Sequence, residues 1–332
     1  MKELRDPFGR RIDYLRISIT DRCNLRCAYC MPAAGVHWQP RPALLTADEI
    51  VRAARAAAGL GVNSIRLTGG EPLVRGDIVD IVRALAGIAG IRDISLSTNG
   101  MLLEKLAPAL AAAGLRRVNV SLDTLNPHTF RRLTRFGDFE RVRCGIAAAE
   151  RAGLAPIKLN TVVIRGVNDF ELIDLARLTL EHPWHIRFIE LMPIGNTGDW
   201  GDGFADSADR YISVQEMRER LAPLGLQRTG APAGNGPART FRIPEAAGTV
   251  GFISPLGEHF CATCNRLRLT ADGRLRPCLI KTGEVPVRDM LRAGHDIETL
   301  IETAVARKPA GHELWHNETS STHNRLMCQI GG

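Results

Sequence analysis

Residues 18–32 read SITDRCNLRCAYCMP and set Cys23, Cys27 and Cys30 in a C-x3-C-x2-C spacing that matches no ordinary zinc pair. A cubane iron–sulfur cluster has four irons, so three thiolates hold three of them and leave one open to a small ligand. An electron from the cluster can pass into whatever binds there. A zinc site or three unrelated thiols are the alternatives for the same residues. The loop is entered directly from YLRISIT (14–20), a short apolar and β-branched run that reads as a strand.

That strand opens a rhythm. NSIRLT (63–68), DISLST (93–98), RRVNVSL (116–122), IKLNTVV (157–163) and HIRFIEL (185–191) follow it, alternating with alanine-rich helical stretches. The helix after the cysteine loop starts at Thr46-Ala47-Asp48-Glu49, a capping box in which Thr46 and Glu49 satisfy each other's free amides. Repeated βα units predict an α/β fold with a parallel sheet, right-handed crossovers and ligands at the carboxyl ends of the strands. The expectation is an incomplete (β/α)6 TIM-like barrel over residues 1–212 and a smaller C-terminal α+β domain over 213–332. From 192 to 212 the pattern dissolves into glycine and aspartate, which reads as a lid or linker. TGAPAGNGPA (229–238) is a second irregular stretch, and the strand-like runs around it predict antiparallel pairing.

With 332 residues and 45% hydrophobic content the chain can bury a sizeable core. Its charged N-terminus, MKELRDPFGRR, and the lack of any membrane-length apolar run lead us to expect no leader, no membrane contact and a cytoplasmic address. In a reducing compartment the eight cysteines read as metal ligands, six of them in two triplets. Cys144 and Cys328 stand alone, and Cys144, in an alanine-rich helix, is expected to be a small buried hydrophobe. The net charge of +7 comes from 43 basic and 36 acidic residues. Scattered arginines and only 5% aromatics argue against nucleic acid and favour a small polyanion.

At 68–72 the chain reads TGGEP, where paired glycines allow a close backbone approach to a ligand. Cys261, Cys264 and Cys278 form the second triplet, and His259 would complete a Cys3His zinc site there, so spacing alone leaves zinc and a cluster both open. Arg16 lies on the first strand and Arg66 just before the glycine motif. Arg266 and Arg268 flank Leu267 and share one face of a strand. Lys158, one of only five lysines, reads either as a point charge for a triphosphate or as a strand-edge residue.

LRISITDRCNLRCAYCMP, IRLTGGEPLVR, STNGMLL, VNVSLDTL, KLNTVVIRGVND, IRFIELMPIG, FCATCNRLRLT and the closing Gly331-Gly332 together resemble one family across essentially the whole chain. It is the MoaA-type GTP 3′,8-cyclases, radical S-adenosylmethionine (SAM) enzymes of molybdenum cofactor biosynthesis. The resemblance implies two 4Fe–4S clusters, on Cys23, Cys27 and Cys30 and on Cys261, Cys264 and Cys278. It implies SAM contacts from Tyr29, Gly70, Ser121 and Met192, and GTP contacts from Arg16, Arg66, Ser97, Lys158, Arg266, Leu267 and Arg268. Ser97 stands where the family commonly has threonine. The implied reaction is abstraction of the ribose 3′ hydrogen of GTP by a radical derived from SAM, then ring closure to C8. Gly331 and Gly332 would form an activating tail, an electron donor would feed the first cluster, and a cyclic pyranopterin monophosphate synthase would act downstream. A homodimer is compatible with it. Two other readings stay open: a peptide-modifying radical enzyme, and a zinc-stabilised binding module.

Overall fold

The computed structural model describes residues 3–194, 200, 201, 204, 207–281, 283–312 and 325–331. Within it the βα rhythm appears as β1 (Tyr14–Ser18), α1 (Ala47–Gly59), β2 (Ser64–Thr68), α2 (Ile78–Ala86), β3 (Asp93–Thr98), α3 (Leu103–Ala112), β4 (Arg117–Ser121), α4 (Pro127–Thr134), α5 (Phe139–Arg151), β5 (Lys158–Val163), α6 (Leu172–Glu181) and β6 (His185–Glu190). The six strands lie side by side in chain order, all parallel. After α7 (Val214–Arg220) come β7 (Gln227–Arg228), β8 (Arg239–Arg242), β9 (Thr249–Ile253), β10 (Arg266–Leu269), β11 (Arg274–Arg276), β12 (Val285–Pro286), α8 (Arg288–Arg292), α9 (Glu298–Ala306) and α10 (Met327–Ile330).

The later strands extend the same sheet at both edges. β9 joins β6 and β10 joins β1, each in parallel, so the parallel arc runs β10-β1-β2-β3-β4-β5-β6-β9. The antiparallel pairing expected near 229–238 is present as β7–β8–β9, and β10–β11–β12 pair likewise at the other edge.

Alternation along the strands decides what each face does. Leu15, Ile17, Ile65, Leu67, Leu96, Val118, Val120, Leu159, Ile186 and Phe188 join the core shared with the helices. The intervening positions, Arg16, Arg66, Ser95, Asn119, Asn160 and Arg187, fall on the opposite face, because successive side chains leave a strand on opposite sides. The inner face of the arc is therefore polar and the outer face apolar.

The helices begin where their caps say. The Glu49 amide donates to Thr46 Oγ1 at 3.2 Å and the Thr46 amide to Glu49 Oε2 at 2.8 Å, completing the expected capping box. In α5, Asp138 caps through the amides of Glu140 and Arg141, and Val142, Gly145, Ile146 and Ala149 form the buried stripe. Cys144 falls off that stripe and is exposed, which corrects its expected burial.

Glu190 clips the pieces together at the end of β6. Its buried carboxylate accepts from Tyr211 Oη (3.1 Å), Val214 N (3.0 Å), Leu256 N (3.1 Å) and Gly257 N (3.3 Å). It thus fixes the start of α7 and the connection leaving β9. Glu190→Ala strands the buried amides of Val214 and Leu256, and we expect a loss of about 3 kcal/mol of stability, read as a lower urea midpoint with an unchanged slope.

Candidate functional site

A cavity of about 340 Å³ lies at the carboxyl ends of the parallel strands, and both cysteine triplets line it. Cys23, Cys27 and Cys30 come from the loop after β1, Cys261 and Cys264 from the connection between β9 and β10, and Cys278 from the turn after β11. All are free thiols.

The first loop is held by backbone contacts. Arg26 N and Ala28 N donate to Thr134 O and Leu133 O at the end of α4, at 3.1 and 2.9 Å. Arg135 Nη1 braces the carbonyls of Arg26 (2.7 Å) and Met31 (3.1 Å). The TGGEP turn docks on the same loop, with Gly70 N donating to Thr20 O (2.9 Å) and Glu71 N to Arg22 O (2.8 Å). A Cβ on Gly70 would sit 2.3 Å from Arg22 O, so the close approach its glycine permits is first of all to the loop's own backbone. Glu71 turns away and accepts from Leu73 N (3.0 Å), Thr98 Oγ1 (2.8 Å) and Asn99 N (2.7 Å), and burial pushes its pKa up to about 7.

The chemistry of these thiols suits a soft, multiply charged group. Burial pushes Cys23 up to about 12 and raises Cys27, while a hydrogen bond to Cys328 and then burial raise Cys30. Such thiols become thiolates when a cation supplies the compensating charge. Three soft donors in one short loop fit three corners of a cubane cluster.

The second triplet is differently placed. Cys261–Thr263 form a single 3-10 turn, closed by Cys264 N donating to Cys261 O at 3.1 Å. Burial works against the Cys264 thiolate, but Arg266 and Lys308 bring its pKa down to about 6. His312 joins His259 beside Cys261, the ligand atoms of the three lying within 4.8 Å of one another. This set offers nitrogen donors that the first lacks.

Between the triplets lies a cationic floor. Arg268, Arg16 and Arg66 are neighbours in register across β10, β1 and β2, and Arg187 completes the group from β6. The four are 5%, 9%, 4% and 5% exposed respectively. Arg66 Nε donates to Ser95 Oγ (3.2 Å), Arg187 Nη2 to Asn119 Oδ1 (2.6 Å) and Arg268 Nη1 to Gly331 O (2.7 Å), all neutral acceptors. Burial lowers Arg16 to about 10 and Arg187 to about 9, and lowers Arg66 and Arg268 as well. Arg187 Nε has no partner. A group of this kind is built for an anion.

Of the residues expected to bind ligands, Tyr29, Gly70, Ser121, Met192, Arg16, Arg66, Ser97, Arg266 and Arg268 line the cavity. Tyr29 Oη donates to Asp123 Oδ2 at 2.9 Å, and burial lifts Asp123 to about 6. Leu267, between the two arginines, faces the core. Lys158 lies outside the cavity lining, in a crevice closed by residues 231–236; its Nζ donates to Ala233 O at 2.6 Å, and burial lowers it to about 6. Gly331 reaches the floor, where Arg16 Nη2 also approaches its carbonyl at 3.4 Å. Gly332 lies outside the described residues. Arg187, Asp123, Lys308 and His312 were not singled out from the sequence. For Arg187 the signal was available, since HIRFIEL alternates just as RLRL does.

A Cβ at position 70 has no room, so Gly70→Ala is expected to displace the loop carrying Cys23 and halve the iron bound per chain. Iron analysis with electron paramagnetic resonance (EPR) checks this, because the second triplet keeps its own signal.

Comparison with known proteins agrees with this geometry. Residues 17–179 match the Radical SAM superfamily and residues 184–314 match Molybdenum Cofactor Synthesis C. A GTP 3′,8-cyclase of Moorella thermoacetica is 50% identical over 99% of this chain and 100% of its own length. One from Pelotomaculum thermopropionicum is 49% identical over 99% of this chain and 100% of its own. Among solved structures, Streptococcus suis SuiB bound to S-adenosylmethionine superposes with a TM-score of 0.59 and 17% identity, covering 89% of this chain and 69% of that one. That likeness is one of fold.

Proposed function

We propose that this chain, which belongs to the GTP 3′,8-cyclase family of radical SAM enzymes, holds SAM at the Cys23–Cys30 end of its cavity and GTP toward the Cys261–Cys278 end. It is a radical SAM GTP cyclase of molybdenum cofactor biosynthesis, and its cofactors are SAM and two 4Fe–4S clusters. When bound, these cofactors supply an electron and the radical that removes the ribose 3′ hydrogen. The protein's own residues bind, orient and exclude water.

The observation that carries the substrate assignment is the buried arginine floor. Arg16, Arg66, Arg187 and Arg268 present forked donors at the strand ends, suited to the triphosphate, while Arg266 and the backbone of Leu267 lie beside the second triplet, where the base would sit. Ser97 offers a hydroxyl to the nucleotide. Lys158 would reach a phosphate once residues 231–236 release its ammonium. Tyr29, oriented by Asp123, would lie against the adenine of SAM, with Gly70, Ser121 and Met192 around the rest of the cofactor. Near contact between the SAM ribose and the GTP ribose would serve hydrogen transfer, since positioning accounts for much of the rate in a step of this kind.

An external electron donor and a downstream cyclic pyranopterin monophosphate synthase complete the reading. Free cysteines throughout support a reducing, cytoplasmic setting. No helix among the described residues is long and apolar enough to cross a membrane.

Under anaerobic reducing conditions, the iron-reconstituted protein should release 5′-deoxyadenosine from SAM with GTP and not with ATP or CTP. Release indifferent to the nucleotide would overturn the substrate assignment. Arg268→Ala and Arg187→Ala should each raise KM for GTP roughly 10- to 100-fold, the worth of a charge-assisted hydrogen bond, with iron content unchanged.

A further inference from the structure

Residues 229–238, TGAPAGNGPA, join β7 to β8, and Thr229 N donates to Thr240 O at 3.0 Å where the hairpin closes. The tip of this hairpin folds over the amino ends of β4 and β5, and three cations meet beneath it. Lys158 Nζ donates to Ala233 O at 2.6 Å. Arg117 lies under Gly234, where a Cβ would stand 2.3 Å from its Nη1. Arg187 Nη1 is 3.6 Å from the place a Cβ of Gly236 would take. Arg117 and Arg187 are 3% and 5% exposed, yet Arg117 Nη1 and Arg187 Nε have no hydrogen-bond partner. Among the described residues, Asp93 is the one carboxylate paired with any of the three, through Arg117 Nε at 3.0 Å. The cations thus outnumber their acceptors, and the tip answers them with backbone. Arg187 also lines the main cavity, as does Pro237 at the foot of the tip, so the crevice is continuous with the arginine floor.

We propose that the β7–β8 tip is a built-in competitor for a terminal-phosphate subsite formed by Lys158, Arg117 and Arg187: the Ala233 carbonyl occupies the subsite in the empty enzyme, and the triphosphate of the substrate takes its place. The inference rests on the reading of GTP as the cavity's ligand. It adds Arg117 and the tip to the groups that receive it.

The exchange is physically simple. A peptide carbonyl is a neutral acceptor, whereas a phosphate oxygen is charged and makes the stronger hydrogen bond to an ammonium or guanidinium group. Among the described residues, the Lys158 bond is the one hydrogen bond between residues 231–236 and the barrel, so losing it frees the tip while β7 and β8 stay paired. A ligand that needs the tip lifted binds with an affinity reduced by the fraction of molecules in which it is already lifted. The reduction is the same for every anion that reaches Lys158. Inorganic phosphate, held by this subsite alone, is thereby kept out at concentrations where a nucleoside triphosphate, held along the arginine floor as well, still enters.

The test uses the full-length protein with both clusters assembled, kept anaerobic, and measures binding of GTP, inorganic triphosphate and guanosine by calorimetry. Gly234→Ala unseats the tip, because the new Cβ meets an Arg117 held by Asp93 and because φ +102° strains any side chain. Gly230→Ala, whose Cβ would meet nothing within 4 Å, is the control on the same hairpin. GTP and inorganic triphosphate should both bind Gly234→Ala roughly fivefold more tightly than the wild type, the competent fraction having risen. Guanosine should bind all three proteins alike, and Gly230→Ala should match the wild type throughout. In a Lys158→Met background the gain from Gly234→Ala should vanish, since tip and phosphate have lost the partner they share. A second measurement needs no variant. Elastase, whose small pocket accepts alanine, should cut the wild type after Ala231 or Ala233 roughly tenfold faster with inorganic triphosphate bound, as a lifted segment is open to proteolysis. Triphosphate binding that is weaker or unchanged in Gly234→Ala, or cleavage indifferent to triphosphate, would overturn the inference. GTP that binds no more tightly than inorganic triphosphate, with the tip still responding, would instead overturn the nucleotide reading and leave the subsite standing.

Discussion

Placing four guanidinium groups in one enclosed space costs several kcal/mol for each that loses its hydration uncompensated. The chain does this with arginines on β10, β1, β2 and β6, each nearly inaccessible to solvent. The strand pleat makes it possible: the same residues that send Leu15, Leu67 and Phe188 outward to the helices send their neighbours inward. A barrel interior filled with valine and leucine would have been the more stable choice. This one keeps its interior polar and leaves part of the electrostatic cost to be offset by an anionic ligand. Fold and ligand preference are consequences of one alternating pattern.

Much of that pattern is legible in the linear chain. YLRISIT, NSIRLT and HIRFIEL announce strands by their β-branched and apolar content, and the order of the first six strands in the sheet is their order in the sequence. Thr46 and Glu49 mark a helix start that the structure repeats bond for bond. The cysteine triplets are equally visible, because metal-binding loops keep their ligands close in sequence. What the chain does not advertise depends on return paths. Nothing local says that β9 and β10 add to opposite edges of the sheet, that residues 231–236 come to rest over Lys158, or that His312 arrives beside Cys261 from the far end of the chain. Cys144 went astray for a subtler reason. Composition marks it as a core residue, but the helical period puts it one step off the buried stripe.

The two ends of the cavity differ in ways that match different tasks. Around Cys23, Cys27 and Cys30 the supporting interactions are backbone hydrogen bonds from α4 and the TGGEP turn, together with the Arg135 brace on two loop carbonyls. Around Cys264 the neighbours are Arg266 and Lys308, which stabilise negative sulfur and would equally attract a negatively charged ligand. A cradle pinned through its backbone suits a group that must exchange electrons at a defined potential. A cationic rim suits a group that must hold a polyanionic molecule still.

The connection from β9 to β10 crosses the gap between the two edges of the parallel arc and carries Cys261 and Cys264 just ahead of β10, while Cys278 follows β11, the strand paired with β10. Metal bound by all three would therefore tie that connection to the end of β11, at one edge of the arc. Oxygen that strips iron from this triplet would remove a binding surface and release that edge connection in the same event. Damage to the cofactor and damage to the architecture are then one lesion, and repair of either requires the other.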